Sequence, residues 1–183
     1  MFDPPSFVKD KRILLIGNAP IDYTVPLDKY SCVIRMNKGG EEEILQGNRC
    51  DIWVNNLGYY YNSTNKVWDC GTPIMRMNYE HNGVRANRYP KEFLPVTWFW
   101  NVTEFNSMCE ALGLPRPSTG LMSLYYFMQY STADITIVGY DSYKTHNKYN
   151  PENTGAPVHD WEKEAELINS WKLKGLIKEA HEG

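Results

Sequence analysis

Residues Ile13-Leu14-Leu15-Ile16-Gly17-Asn18-Ala19-Pro20 decide the architecture. Four aliphatic side chains in a row leave no polar face, so the run reads as a strand buried on both sides that closes in a Gly/Asn/Pro turn. Strands buried on both faces belong to parallel sheets covered by helices. Working outward, Cys32 to Met36, Asp51 to Val54, Pro73 to Met77, Val96 to Trp100 and Ile135 to Val138 are further short runs of Val, Ile and aromatic residues between Asn, Gly or Asp, and they read as strands. Glu41 to Gln46 and Glu104 to Leu112 have helical composition, and Leu121 to Tyr130 is apolar nearly all round, as a buried helix is. Asp160 to Lys178 sets Trp161, Ala165, Ile168 and Trp171 at helical spacing, with acidic residues early and lysines late, in the order the helix dipole favours. Alternating strands and helices predict an α/β fold with a mostly parallel central sheet and flanking helices.

The chain has 183 residues, 42% of them hydrophobic and 22% charged, enough for one domain, 1–183, around a real core. A net charge of -3 argues against a dedicated nucleic-acid binder, whose affinity rests on clustered Lys and Arg. Met1 to Arg12 holds no hydrophobic run of signal-peptide length, and no later run is long enough to span a bilayer. Cys32, Cys50, Cys70 and Cys109 have no tight pair spacing, so they read as buried free thiols and no metal site is expected.

Ligands of parallel α/β sheets sit beyond the carboxyl ends of the strands. Asn18 and Asn37 stand there, either presenting amides to a base or ribose or bonding their own loops. Gly17-Asn18-Ala19-Pro20 lacks the GxGxxG spacing and no GxxxxGK[ST] loop occurs, which excludes the common dinucleotide and P-loop readings. Pro117-Ser118-Thr119-Gly120 opens the buried helix, so a hydroxyl caps it while free N–H groups face outward, with or without an anion on them. His159 precedes the last helix, where the positive helix end favours the neutral ring a general base needs. Glu164 is five positions on, which in an ideal helix is a rotation of roughly 140°, so a shared face is not expected unless His159 turns back over the first turn. His146 follows Gly139-Tyr140-Asp141 in a polar loop, either solvated or set against a leaving phosphate. Arg35 is a cation near the strand ends that faces a donor or pairs with Asp51 or Asp141. Tyr59, Tyr60, Tyr61 and Trp100 are candidate platforms for sugar rings, with strand core the alternative for Trp100.

Taken in order, these segments resemble the sialylmotifs of the family 29 glycosyltransferases, the sialyltransferases. The large motif resembles Ile13 to Asn18, then Cys32 to Asn37, Gly47 and Asp51; the small motif resembles Pro117 to Gly120 through Ile137 to Tyr140; the very short motif resembles His159 to Glu164. The resemblance implies a Rossmann-like, modified GT-A fold, a CMP-activated sugar donor and a glycan acceptor. It also implies inversion at the anomeric carbon with no required metal or cofactor. On that basis Gly17, Asn18 and Asn37 hold the nucleotide, and Ser118, Thr119 and Gly120 hold the donor's phosphate or carboxylate. Arg35 and Tyr140 are further donor contacts, His159 is the base, and His146 steadies the departing phosphate.

The family's disulfide between the large and small motifs has no counterpart, because Lys11-Arg12 and Ser131-Thr132-Ala133 stand where cysteines are expected. With no membrane anchor, that points to a short, soluble, cytoplasmic microbial or viral relative. Two other readings share the residues: a non-catalytic nucleotide- or carbohydrate-binding relative, and a transferase acting on a modified nucleic-acid base. The acidic balance counts against the second.

Overall fold

Isoleucine and leucine alternate to opposite sides of the first strand, β1 (Ile13–Ile16), and every residue of it is buried. Ile13 and Leu15 join one core cluster, Leu14 and Ile16 another. This two-sided burial is what the uninterrupted aliphatic run demands, and it places β1 inside the sheet. The computed structural model describes residues 3–36, 49–55, 74–77, 97–100, 102–142, 144 and 158–181. Around β1 lie β2 (Cys32–Met36), β3 (Ile52–Asn55), β4 (Ile74–Met77), β5 (Thr97–Trp100), β6 (Ile135–Val138) and β7 (Lys178–Glu179). They form one sheet of seven strands in the order β5-β4-β3-β2-β1-β6-β7, and every neighbouring pair is parallel. The helices are α1 (Pro4–Val8), α2 (Val102–Leu112), α3 (Thr119–Tyr130) and α4 (Trp161–Leu173).

The larger core cluster joins the sheet to the helices. Val8 of α1, Met108 and Leu112 of α2, Leu121, Met122, Leu124 and Phe127 of α3, and Ile168 and Trp171 of α4 all belong to it. The opposite face is covered by Val25 and Ala180 with Ile21, Tyr23, Leu27 and Tyr30. Tyr23 also donates its hydroxyl to the Ala180 carbonyl at 2.7 Å.

Two elements were not expected. Asp3-Pro4-Pro5 starts α1: the Asp3 carboxylate accepts from the Ser6 N–H and proline occupies the first turn, a start signal independent of hydrophobic period. The last helix stops at Leu173 rather than continuing to Lys178. Gly175 takes φ +70°, and the Gly175 and Leu176 N–H groups bond back to the Lys172 and Trp171 carbonyls, so a glycine C-terminal turn releases the chain into β7. The buried stripe of α4 runs through Glu164, Ile168 and Trp171, not through Trp161 and Ala165. The Glu41 to Gln46 segment lies outside the described residues.

Hydrogen bonds join the segment after α1 to the segment after α3. Thr132 N–H donates to the Lys9 carbonyl at 2.8 Å, and Thr132 Oγ1 lies 2.7 Å from that carbonyl and 2.8 Å from the Asp10 carboxylate. Cys32, Cys50 and Cys109 are free thiols. Burial pushes Cys32 and Cys50 up to about 12, which keeps them protonated and unreactive.

Candidate functional site

The chain steps outward from β1 through β5 and then returns to add β6 on the other side of β1, so the strand order reverses between β1 and β6. A ligand crevice forms outside the carboxyl ends of the strands at such a reversal. Ile16 is in register with Arg35 of β2 and Val138 of β6, which brings Gly17, Met36 and Gly139 to one level. Gly17 and Gly139 face each other with no room for side chains. A Cβ on Gly17 would lie 2.1 Å from the Gly139 carbonyl oxygen, and Gly139 has φ +68°. The Gly17 N–H bonds the Val138 carbonyl at 2.8 Å and the Ala19 N–H bonds the Gly139 carbonyl at 3.1 Å. The two turns are thereby laced into a rigid floor.

On that floor, the side-chain oxygen of Asn18 is buried and accepts no hydrogen bond. A buried amide oxygen without a donor is uncommon and costly, and it fits a ligand N–H or O–H. Tyr140, next after Gly139, packs its ring on Gly120, where a Cβ would come 3.3 Å from the ring. Its hydroxyl lies 3.4 Å from the Gly120 carbonyl and 3.4 Å from Met36 Sδ. Burial above all, and then Glu164, push this phenol well above its ordinary range, so it is a neutral O–H donor. The ends of β1, β2 and β6 and the start of α3 therefore converge, bringing together Gly17, Asn18, Gly120 and Tyr140.

Ser118 caps α3, its Oγ accepting from the Leu121 N–H at 3.2 Å. Its N–H and O–H point to Glu164, which is only 2% exposed. Ser118 N–H donates to Oε1 at 2.7 Å and Ser118 Oγ–H to Oε2 at 2.5 Å. The first-turn N–H groups of Thr119 and Gly120 have no carbonyl partner within the helix, so they are the groups α3 offers an anion. Burial raises the Glu164 carboxyl above the usual range, opposed by the two Ser118 bonds and the nearby His159, and reinforced by Asp160. Glu164 was not among the expected site residues. The available signal was a carboxylate on the apolar stripe of α4, four residues before Ile168.

Asp160 caps α4, accepting from the Lys163 N–H at 3.0 Å, so His159 stands just outside the helix and escapes the helical rotation that separates it from Glu164. His159 Nδ1 lies 2.8 Å from the Arg116 carbonyl. A carbonyl only accepts, so Nδ1 carries the proton, and in the neutral ring Nε2 keeps its lone pair. His159 and Glu164 both grip the turn at Arg116 to Ser118, locking the start of α4 to the start of α3. Arg35 is fully buried within the sheet and donates Nε to the Arg49 carbonyl at 2.9 Å; Asp51 pairs with Arg49 at 2.8 Å. Trp100 closes β5. Asn37, Tyr59, Tyr60, Tyr61 and His146 lie outside the described residues. Among the described residues no three His, Cys, Asp or Glu side chains gather as metal ligands do, and no helix is long and apolar enough to cross a membrane.

An all-parallel sheet whose strand order reverses between β1 and β6 defines a Rossmann-like α/β protein. Within that class the chain has the sialyltransferase fold. A mammalian sialyltransferase in complex with Gal-beta-1-3GalNAc-ortho-nitrophenol matches it with a TM-score of 0.67 at 16% identity, over 98% of this chain and 72% of that one. A second mammalian sialyltransferase structure matches at TM-score 0.67 and 16% identity, over 99% and 74%. A point variant of the sialyltransferase CST-II in complex with CMP matches at 0.59 and 17%, over 92% and 80%. No protein-family model matches the chain, and no curated protein sequence does.

Proposed function

We propose that this chain is a single-domain glycosyltransferase that moves sialic acid or a related keto-sugar from a CMP-activated donor to a glycan hydroxyl, with inversion and without a required metal. The observation that carries the reading is the unpartnered, buried Asn18 oxygen at the β1–β6 reversal, beside the Tyr140–Gly120 contact and the open first turn of α3. A cytidine amino group or ribose hydroxyl would supply the missing donor to Asn18, with Asn37 completing the nucleotide contact. The donor phosphate would face Thr119 and Gly120, and His146 would steady it as it leaves. In the transfer step the acceptor oxygen bonds to the anomeric carbon as the bond to the CMP phosphate breaks. The acceptor proton passes to Nε2 of His159, the nitrogen left available by the Arg116 bond. Tyr59, Tyr60, Tyr61 and Trp100 remain candidates for acceptor contact. The acidic balance disfavours nucleic acid as substrate.

Calorimetry with CMP, UDP, GDP and ADP tests the donor half: CMP binds best, and a clear preference for another nucleotide removes the assignment. His159→Ala lowers turnover by about 10²- to 10⁴-fold while CMP still binds. Wild-type turnover in that variant would remove the histidine as base.

A further inference from the structure

A cavity of about 370 Å³ opens between α2 and the later turns of α3, where Tyr125, Tyr126 and Tyr130 line it together with Glu104 and Gln129. Its volume is within the range of small-ligand sites. Neither Asn18, Gly120 nor Tyr140 lines it, and Tyr130 closes the helix that Ser118 caps, so it is separate from the crevice at the β1–β6 reversal. We propose that this cavity binds a small organic cation, a quaternary ammonium group, between the tyrosine rings and the Glu104 carboxylate. The site is independent of the transferase reading.

Ring geometry is the first argument. Tyr126 and Tyr130 meet with centroids 4.7 Å apart and planes tilted by 52°, so they form a corner, not one flat platform. A corner of electron-rich rings surrounds a compact cation, which is how aromatic cages take quaternary ammonium groups. The rings are also held in place. Trp98 of β5 lies 5.4 Å from Tyr126, Phe127 meets it edge-on at 5.5 Å, and Tyr125 stacks on Trp171 of α4 at 6.1 Å. The walls are therefore formed before a ligand arrives, which spares the cost of ordering them on binding. Charge is the second argument. Among the described residues that line the cavity, Glu104 is the one carrying charge, and neither Lys nor Arg is among them. Tyr126 is 3% exposed; burial first, then Tyr130, Glu104 and Asp3, push its phenol above the ordinary range, so the surroundings are negative and an anion is disfavoured. A hard metal ion needs about six oxygen ligands, which walls of aromatic carbon do not supply. A quaternary ammonium has no N–H to satisfy and suits rings with one carboxylate.

The test is saturation-transfer NMR of the choline methyl protons on the full chain at constant ionic strength. Choline is expected to bind saturably, and its neutral isostere, with carbon in place of nitrogen, about fivefold more weakly. Glu104→Gln and Tyr130→Ala should each weaken choline by about fivefold, and Tyr130→Phe, which keeps a ring, should recover most of the loss. Tyr130 is 38% exposed, so its variants should melt with the wild type, and the isostere comparison needs no variant at all. Vesicles distinguish the source of the cation. Sedimentation with phosphatidylcholine but not phosphatidylglycerol vesicles, lost in Glu104→Gln, assigns a lipid headgroup; choline binding without it assigns a free solute. Absence of saturable choline binding, equal binding of the isostere, or tighter binding of the primary amine ethanolamine overturns the site. Displacement of choline by CMP also overturns it, since that would place the cation in the β1–β6 crevice. None of these outcomes alters the transferase reading.

Discussion

Asn18 is placed where its amide oxygen loses water and gains no protein donor, a cost of about 1–3 kcal/mol in the free protein. Asn18→Ala is therefore expected to leave the ligand-free melting temperature unchanged or higher while weakening CMP binding by about tenfold or more; a parallel fall in stability with unchanged affinity would make the residue structural. Glu164 poses the opposite case, because its carboxylate holds two groups of Ser118. Glu164→Ala is expected to cost about 3 kcal/mol, read by denaturant unfolding. Its folded-state pKa is raised, so the native state holds the proton more tightly than the unfolded chain does. Stability from this group is full below the ordinary carboxylate range and is lost as pH rises through the raised value. Glu164→Gln cannot ionise, so its melting temperature should lack that decline when both proteins are scanned from acid to neutral pH. Identical profiles would exclude Glu164 as the source.

At the scale of elements, glycines separate two kinds of constraint. Gly175 has φ +70° with open space around it, whereas a Cβ on Gly17 would collide with the Gly139 carbonyl at 2.1 Å. Gly175→Ala is expected to cost about 1 kcal/mol of conformational strain and to leave CMP binding alone. Gly17→Ala must part the β1 and β6 turns, so it should abolish CMP binding as well as lower the melting temperature. The runs of β1, β2 and β6 were legible at their observed limits because all their residues but Arg35 and Thr136 are apolar and all are buried. The end of α4 was less so, since the lysines through Lys178 continue a helical composition and only the positive φ of Gly175 breaks it. The short α1 carries no hydrophobic period, and its signal is confined to Asp3, Pro4 and Pro5.

For the molecule as a whole, a ligand that binds only the folded state stabilises it by mass action. CMP at a hundred times its dissociation constant should add about 2.7 kcal/mol, seen as a rise in melting temperature that UDP at equal concentration does not match. Equal shifts would mean that the crevice does not read the base. Strand class, the parallel sheet, the buried third helix and the positions of Asn18, Ser118 and His159 at element ends were determined by sequence alone, because burial and capping act over a few neighbouring residues. The strand-order reversal at β1 and β6, the grip of His159 and Glu164 on the 116–118 turn, and the burial of Arg35 were decided only by tertiary structure. Each joins residues from 14 to 122 positions apart, and no local pattern encodes which distant carbonyl or carboxylate will meet which donor.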